Sequence, residues 1–426
     1  MSDLIVPRDE FALGGISMLV SATARRILLQ KVKSLKFGEL ILRDGNEAWT
    51  FGSATSHPGA PRVEVDVIDP RFYGSVVFGG TIGSGEAYMH GFYRVSDLSD
   101  LIRLFVLNRD SMLELESGWG WLMVPVRNLM HRLHRNSIEG SKRNIRAHYD
   151  LGNDFYRQFL DETMTYSSGI FQTAGTSLRD AQVEKVDRLC RKLQLSPGDH
   201  LLEIGTGWGF LATHAAKNYG CRVTTTTISS EQHRWAEELI QQEGLSDRVT
   251  LLKQDYRELQ GTYDKIVSVE MIEAVGHQYF DTFFRKCSNL LAPHGMLAMQ
   301  AIVIRDDIFE QAAREVDFIK HYIFPGCCIP SVAALSASIS RSSDMRLHHA
   351  EDFSEHYAHT LRLWNQRFQQ NWPAVRDMGF NDTFRRMWEF YLCYCEGGFR
   401  ERSIGVTQLV FQKPMCRQAV QFPALY

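Results

Sequence analysis

The spacing of hydrophobic positions changes along this chain, and the change divides it. Between residues 17 and 37 apolar side chains such as Ala22, Ile27, Leu28 and Val32 recur at helical intervals beside Arg25, Arg26, Lys31 and Lys33. That pattern predicts an amphipathic helix with a basic face. From 38 to 79 the period falls to two. Leu40–Leu42, Ala48–Phe51, Val63–Val67 and Ser75–Phe78 read as strands separated by Gly and Pro. A turn-rich segment, Gly79-Gly80 and then Gly83 to Gly91, leads to a predicted helix from Asp97 to Asn108. From Asp187 onwards apolar runs alternate with helical stretches. Strands are predicted at 200–204, 222–228, 248–252, 264–269 and 295–304, and helices at 210–219, 230–243 and 277–290. This alternation predicts an α/β domain, a parallel sheet with helices on both faces. The last quarter reads as helical and aromatic, closing in an edge strand, Val406–Gln412.

Length and charge narrow the picture. A chain of 426 residues exceeds the usual size of one core, so two domains are expected: an α+β domain over 1–130 and the α/β domain over 131–426. A net charge of -3 gives no reason to expect nucleic acid as a partner. No apolar run approaches the roughly 20 residues that span a bilayer, and residues 1–10 lack the regions of a signal peptide. Eight scattered cysteines without a C-x-x-C pair predict neither a metal site nor a disulfide framework, and fit a cytoplasmic location. One stretch, 119–146, joins Trp119, Trp121, Leu122 and Met130 to Arg127, Arg132, Arg135, Lys142, Arg143 and Arg146. Such a segment lies either on an anionic membrane surface, as a peripheral contact, or against its own protein as a linker helix.

The chemistry is centred on His200-Leu-Leu-Glu-Ile-Gly-Thr-Gly-Trp-Gly-Phe210. An apolar strand, three glycines and a helix let a backbone approach a ligand and present free N–H groups to it. The spacing G-x-G-x-G departs from the dinucleotide fingerprint, and the next strand ends in Thr224–Thr227 without a carboxylate, so both features argue against NAD. The Glu-x-Gly-x-Gly-x-Gly turn resembles motif I of class I S-adenosylmethionine (SAM) methyltransferases, which implies a Rossmann-like fold. Gln254-Asp-Tyr-Arg257 follows the third strand, where Asp255 either accepts from an adenine amine or caps the next helix.

Four further stretches make the resemblance specific: His148–Tyr156 with Met164–Phe171; Ser268-Val-Glu-Met-Ile-Glu-Ala-Val-Gly-His277; Asp317–Gly326; and Glu396-Gly-Gly-Phe-Arg400 with Thr407–Phe411. With the glycine turn they resemble the cyclopropane-fatty-acyl-phospholipid synthase family, closest to its plant-type branch. Gly85–Gly91 resembles that family's N-terminal domain. The resemblance implies methyl transfer from SAM to a cis double bond of an unsaturated phospholipid acyl chain. A carbocation forms on the chain, a bound bicarbonate ion takes a proton, and a cyclopropane closes. The bicarbonate site implied is Ser168, Glu273, Gln300, the backbone of Ile302, and Tyr357. The SAM site implied is Tyr166, Ser167, Gly205, Gly207, Thr227, Ile228, Gln232, Asp255 and Tyr256.

His148 and Tyr149 are expected to shape a lead-in helix, and Glu270 to be a helix-start carboxylate favoured by the dipole. Cys395 matches a cysteine once assigned to catalysis in that family and is expected to be a buried structural thiol. The family usually has Cys at position 168 and often His at position 300. Ser and Gln supply hydrogen-bond donors there, but Gln relays no proton. Two other functions stay open: a relative that stops at a methyl branch or uses another lipid alkene, and a non-catalytic lipid-binding protein. A homodimer is a further expectation.

Overall fold

The computed structural model describes residues 18–109 and 151–418. The aromatic and basic stretch 119–146, with His148 and Tyr149, lies outside the described residues. Contacts group the chain into two units. The first takes Met1–Met130, Glu315–Ile323 and Trp364–Ser403; the second takes His131–Arg314, Phe324–Leu363 and Ile404–Tyr426.

In the first unit, α1 (Met18–Val32) precedes β1 (Gly38–Asp44), β2 (Glu47–Ser53), β3 (Arg62–Val67), α2 (Arg71–Met89), β4 (Tyr93–Val95) and α3 (Leu98–Leu107). The sheet order is β2-β1-β3-β4, with only the β1–β3 pair parallel. The expected strand at Ser75–Phe78 and the glycine-rich segment after it instead fall in α2, which ends at Met89, just before Gly91. Gly80, at φ 57 and ψ -135, bends that helix. A Cβ on Gly83 would stand 2.0 Å from the Ser75 carbonyl oxygen, so this glycine serves a close packing across the bend, not a turn. β4 has only three residues, too few to leave a periodic signal. The Asp382–Arg400 helix belongs to this unit and is tied by Ser99 Oγ donating to Glu396 (2.8 Å) and Tyr88 OH donating to Glu389 (2.9 Å).

The second unit contains the α/β sheet. Its elements are α4 (Leu178–Leu193), β5 (His200–Ile204), α5 (Phe210–Tyr219), β6 (Arg222–Thr226), α6 (Ser230–Gln242), β7 (Val249–Leu252), β8 (Tyr263–Val269), α7 (Phe280–Leu290), β9 (Leu291–Ile304), α8 (Val332–Ser342), β10 (Arg346–Asp352), α9 (Ser354–Gln370) and β11 (Ile404–Gln412). The last residues of α9 belong to the first unit. The order is β10-β11-β9-β8-β5-β6-β7, and every neighbouring pair from β9 to β7 is parallel. β11 runs against both of its neighbours. It is therefore an interior strand, buried from Val406 to Gln412, and not the edge strand its terminal position suggested. The edge is β10, whose Arg-Leu-His-His-Ala-Glu-Asp sequence is mostly polar because one side meets solvent.

Adjacent side chains on one strand enter opposite cores. Leu202 and Ile204 pack with Phe283, Phe284, Leu297 and Phe411 on one face; Leu201 packs with Leu189, Ala212, Val223 and Val410 on the other. Both faces of the parallel strands are apolar, which is why these strands read as continuous runs rather than alternations. Among the described residues no helix is long and apolar enough to cross a membrane.

Candidate active site

The glycine turn joins β5 to α5. Gly205, Gly207 and Gly209 sit at φ 102, 54 and 95, in the region that favours glycine. Gly205 and Thr206 N–H groups both donate to the Thr226 carbonyl, which ties the turn to the end of β6. Below it, Thr225 Oγ1 donates to buried Glu203 (2.5 Å) and meets Thr206 Oγ1 at 2.7 Å. Burial pushes the Glu203 carboxyl up to about 8, with Thr225 and the Lys185 charge opposing, so Glu203 supports the turn rather than carrying charge to a ligand. A Cβ on Gly207 meets nothing within 4 Å, so open space lies against the backbone there.

The other SAM-site candidates of this unit frame the ends of the same strands. Thr227 Oγ1 donates to Gln232 Oε1 (2.9 Å), and Ser229 caps α6 by accepting from the Gln232 N–H. Ile228, between them, is half-buried. Asp255 accepts from the Arg257 N–H and pairs with its guanidinium at 2.7 and 2.8 Å. Of the two roles expected for Asp255, capping is the one the geometry displays. Tyr256 follows it, half-buried, on Phe283. Ser167 Oγ accepts from Lys185 Nζ at 2.7 Å. Tyr166 lies in an aromatic cluster with Tyr156, Phe159 and Phe324, and Trp208 of the glycine turn packs at a tilt against Tyr156.

A second cluster forms beyond the end of β8. Ser168, Gln300, Tyr357, Ile302 and Glu273 come together, as the resemblance implied, but around two carboxylates. Glu270 is the centre. Its Oε1 accepts from the Ser168 N–H (3.0 Å) and from Gln300 Nε2 (2.8 Å), and its Oε2 accepts from Tyr357 OH (2.7 Å). The Ile302 N–H donates to Glu273 Oε1 at 2.5 Å. Glu273 Oε2 is buried without a hydrogen-bond partner among the described residues.

Ser168 contributes its main chain, since its hydroxyl donates to the Gly169 carbonyl. Glu270 does not start a helix: it stands at φ 47, and its N–H donates to the Gln300 carbonyl at 2.8 Å. A non-glycine residue in that region costs on the order of 1–3 kcal/mol and persists where the surroundings enforce it. The bent backbone turns this side chain among Tyr357, Gln300 and Ser168.

The two carboxyls differ in charge for a physical reason. Burial raises both. At Glu270 that rise is opposed by hydrogen bonds from Tyr357, Gln300 and Ser168 and by the charge of buried Lys185. At Glu273 burial, reinforced by the Glu270 charge, pushes the carboxyl up to about 8 against the backbone N–H groups of Glu273 itself and Ile302. Environments that separate two neighbouring carboxyls in this way assign them different roles. The three donors around Glu270 favour its ionised form, while burial and the Glu270 charge favour a proton on Glu273.

Cys395 belongs to the first unit. It is half-buried, unlike the other seven cysteines, which are buried. Glu270 is the residue that sequence reasoning missed. Two signals pointed to it: a carboxylate three positions before Glu273, and the joint departures at Ser168 and Gln300.

Comparison with known proteins agrees with this architecture. The family model described as mycolic acid cyclopropane synthetase matches residues 136–409. The chain is 35% identical to the tuberculostearic acid methyltransferase of Mycobacterium tuberculosis, over 93% of this chain and 92% of that protein. It is 36% identical to the cyclopropane-fatty-acyl-phospholipid synthase of Escherichia coli, over 87% of this chain and 93% of that one. A mycolic acid cyclopropane synthase solved with SAH and CTAB superposes with a TM-score of 0.60 at 31% identity, covering 64% of this chain and 98% of that structure.

Proposed function

For a chain that belongs to the mycolic acid cyclopropane synthetase family, and is a class I SAM-dependent methyltransferase acting on lipid, we propose transfer of a methyl carbon to a cis double bond of an unsaturated phospholipid acyl chain. Glu270 is the proton acceptor. The observation carrying this reading is the convergence of three donors on the Glu270 carboxylate.

The chain's residues fit SAM. The open space at Gly207 is a cradle a side chain would fill. Tyr166, Ser167, Gly205, Gly207, Thr227, Ile228, Gln232, Asp255 and Tyr256 would hold it. Bound there, SAM supplies an electrophilic methyl group. The protein's part is to orient a weak nucleophile and keep water away. Aromatic faces such as Tyr166 favour the positive charge that develops on the acyl chain. A proton must then leave for a neutral product to form, and an acceptor must stand within hydrogen-bond reach of it.

The residues do not fit a bicarbonate ion in that role. Of the donors assigned to it, Gln300, Tyr357 and the Ile302 N–H are given to Glu270 and Glu273, and the Ser168 hydroxyl to the Gly169 carbonyl. Glu270 is half-buried. In this reading its carboxylate takes the proton, and protonated Glu273 lines the site as a neutral group.

Loss of the proton from the new methyl carbon closes a cyclopropane. Loss from a neighbouring chain carbon leaves a methyl-branched alkene. The second outcome is supported by the carboxylate standing where an ion was expected, and by the methyltransferase relative. Access to acyl chains requires contact with a membrane surface, which we assign to the basic stretch 119–146 of a cytoplasmic, peripherally bound protein.

Mass spectrometry of phospholipids from cells producing this chain tests the reading. A gain of one CH₂ per alkene with loss of the double bond identifies the ring. The same gain with retained unsaturation identifies the methyltransferase, as does a gain of CH₂ and two further hydrogens, which is the branched alkene after reduction by a separate hydride donor in the cell. No gain in any acyl chain overturns both.

A further inference from the structure

We propose that Lys192 and Gln408 are positioning residues that hold the side-chain amide of Gln300 with its N–H group toward Glu270. All are in the second unit, and none of the three touches solvent to a meaningful extent: Gln300 and Gln408 are 0% exposed and Lys192 is 1% exposed. Gln408 and Gln300 face each other across the β11–β9 pair.

What each group can donate or accept fixes the chain of bonds. An ammonium has three donors and no acceptor, so the oxygen of Gln408 must face Lys192 Nζ, 2.7 Å away. A main-chain carbonyl only accepts, so the Gln408 amide N–H₂ must face the Lys185 carbonyl at 3.4 Å. Both ends of Gln408 are therefore assigned by chemistry. Its nitrogen then donates to Gln300 Oε1 at 3.1 Å. With its oxygen so taken, Gln300 turns its nitrogen to Glu270 Oε1 (2.8 Å) and the Ser168 carbonyl (3.4 Å), both acceptors. A flipped Gln300 would set its carbonyl against two oxygens.

The bonds run in one sense from a cation to a carboxylate, an arrangement in which each polarises the next. Lys192 is itself anchored by Glu351, which also accepts from Arg188 at 2.7 Å. Four other groups face Glu270: Tyr357 from α9, the Ser168 N–H, the Lys185 charge from α4, and Glu273 from the following turn. None of them fixes the orientation of Gln300.

The effect on rate rests on the reading of Glu270 as proton acceptor; the orientation itself is measured without turnover. The experiment is an infrared titration of the buried carboxyl band that is absent in Glu270→Gln. In Gln408→Glu the new carboxylate still bonds Lys192 but gives Gln300 Oε1 no donor, so the Gln300 amide loses its tether and donates less well to Glu270. The midpoint of the Glu270 band should rise by about one pH unit, a tenfold gain in proton affinity.

Gln408→Leu keeps the bulk and removes both tethers. It should raise the midpoint by less, which keeps the test available if the first variant fails to fold. The acidic limb of the turnover profile should move up with the band, because a base must be deprotonated to work. A merely structural role would reduce folded protein and leave the midpoint in place. An unchanged midpoint in either folded variant overturns the proposal. Parental turnover in Glu270→Gln would instead remove the acceptor reading while the titration still decides the orientation.

Discussion

Glu270→Gln should lower turnover by about 10³-fold, within the range set by a lost general base, with SAM affinity nearly unchanged. The amide has the shape of the carboxylate but neither its charge nor its basicity. Its N–H₂ also opposes one or more of the donors now aimed at Glu270: Tyr357, Gln300 and the Ser168 N–H. Glu273→Gln should be milder near neutral pH. Burial and the Glu270 charge push Glu273 up to about 8, so below that pH the substitution replaces one neutral group by another. Above about 8 the parent gains a second negative charge beside Glu270 and the variant does not, so the two profiles should separate only there. Steady-state rates on unsaturated vesicles across pH check both. Equal losses at neutral pH would mean that both carboxylates, or neither, take the proton.

Gly207→Val should abolish SAM binding, measured by calorimetry. The residue stands at φ 54, where a side chain costs roughly 1–2 kcal/mol in backbone strain. That cost alone leaves a folded protein. The larger effect is that the branched side chain fills the open space beside the turn. Gly209 is different: a Cβ there meets Ala236 of α6 at 3.0 Å, so substitution disturbs helix packing instead. Parental SAM affinity in folded Gly207→Val would show that the turn is not the cofactor's cradle.

The parallel sheet was legible because most of its strands are short runs rich in apolar or β-branched residues, alternating with helical stretches. What the sequence concealed has physical causes. β10 is polar because it is an edge, and β11 reads as an edge because strand order cannot be seen in one dimension. In α2 the glycines permit close packing and a bend, yet by composition they resemble a turn. Family motifs picked out Ser168, Glu273, Gln300, Ile302 and Tyr357, and the fold places them together around Glu270. Glu270 escaped because its role depends on a positive φ that turns the side chain away from a helix start, and backbone angles at a non-glycine leave no mark on composition. Gln408 escaped for a related reason. It matters through its register opposite Gln300, which exists only once β11 pairs with β9.

The most direct measurement of the central claim uses purified protein, SAM and vesicles of cis-unsaturated phospholipid in buffer freed of bicarbonate. With Glu270 as the built-in acceptor, acyl chains heavier by one CH₂ form at full rate, and adding bicarbonate back changes nothing. Product that appears only when bicarbonate is restored, or none under either condition, would contradict it.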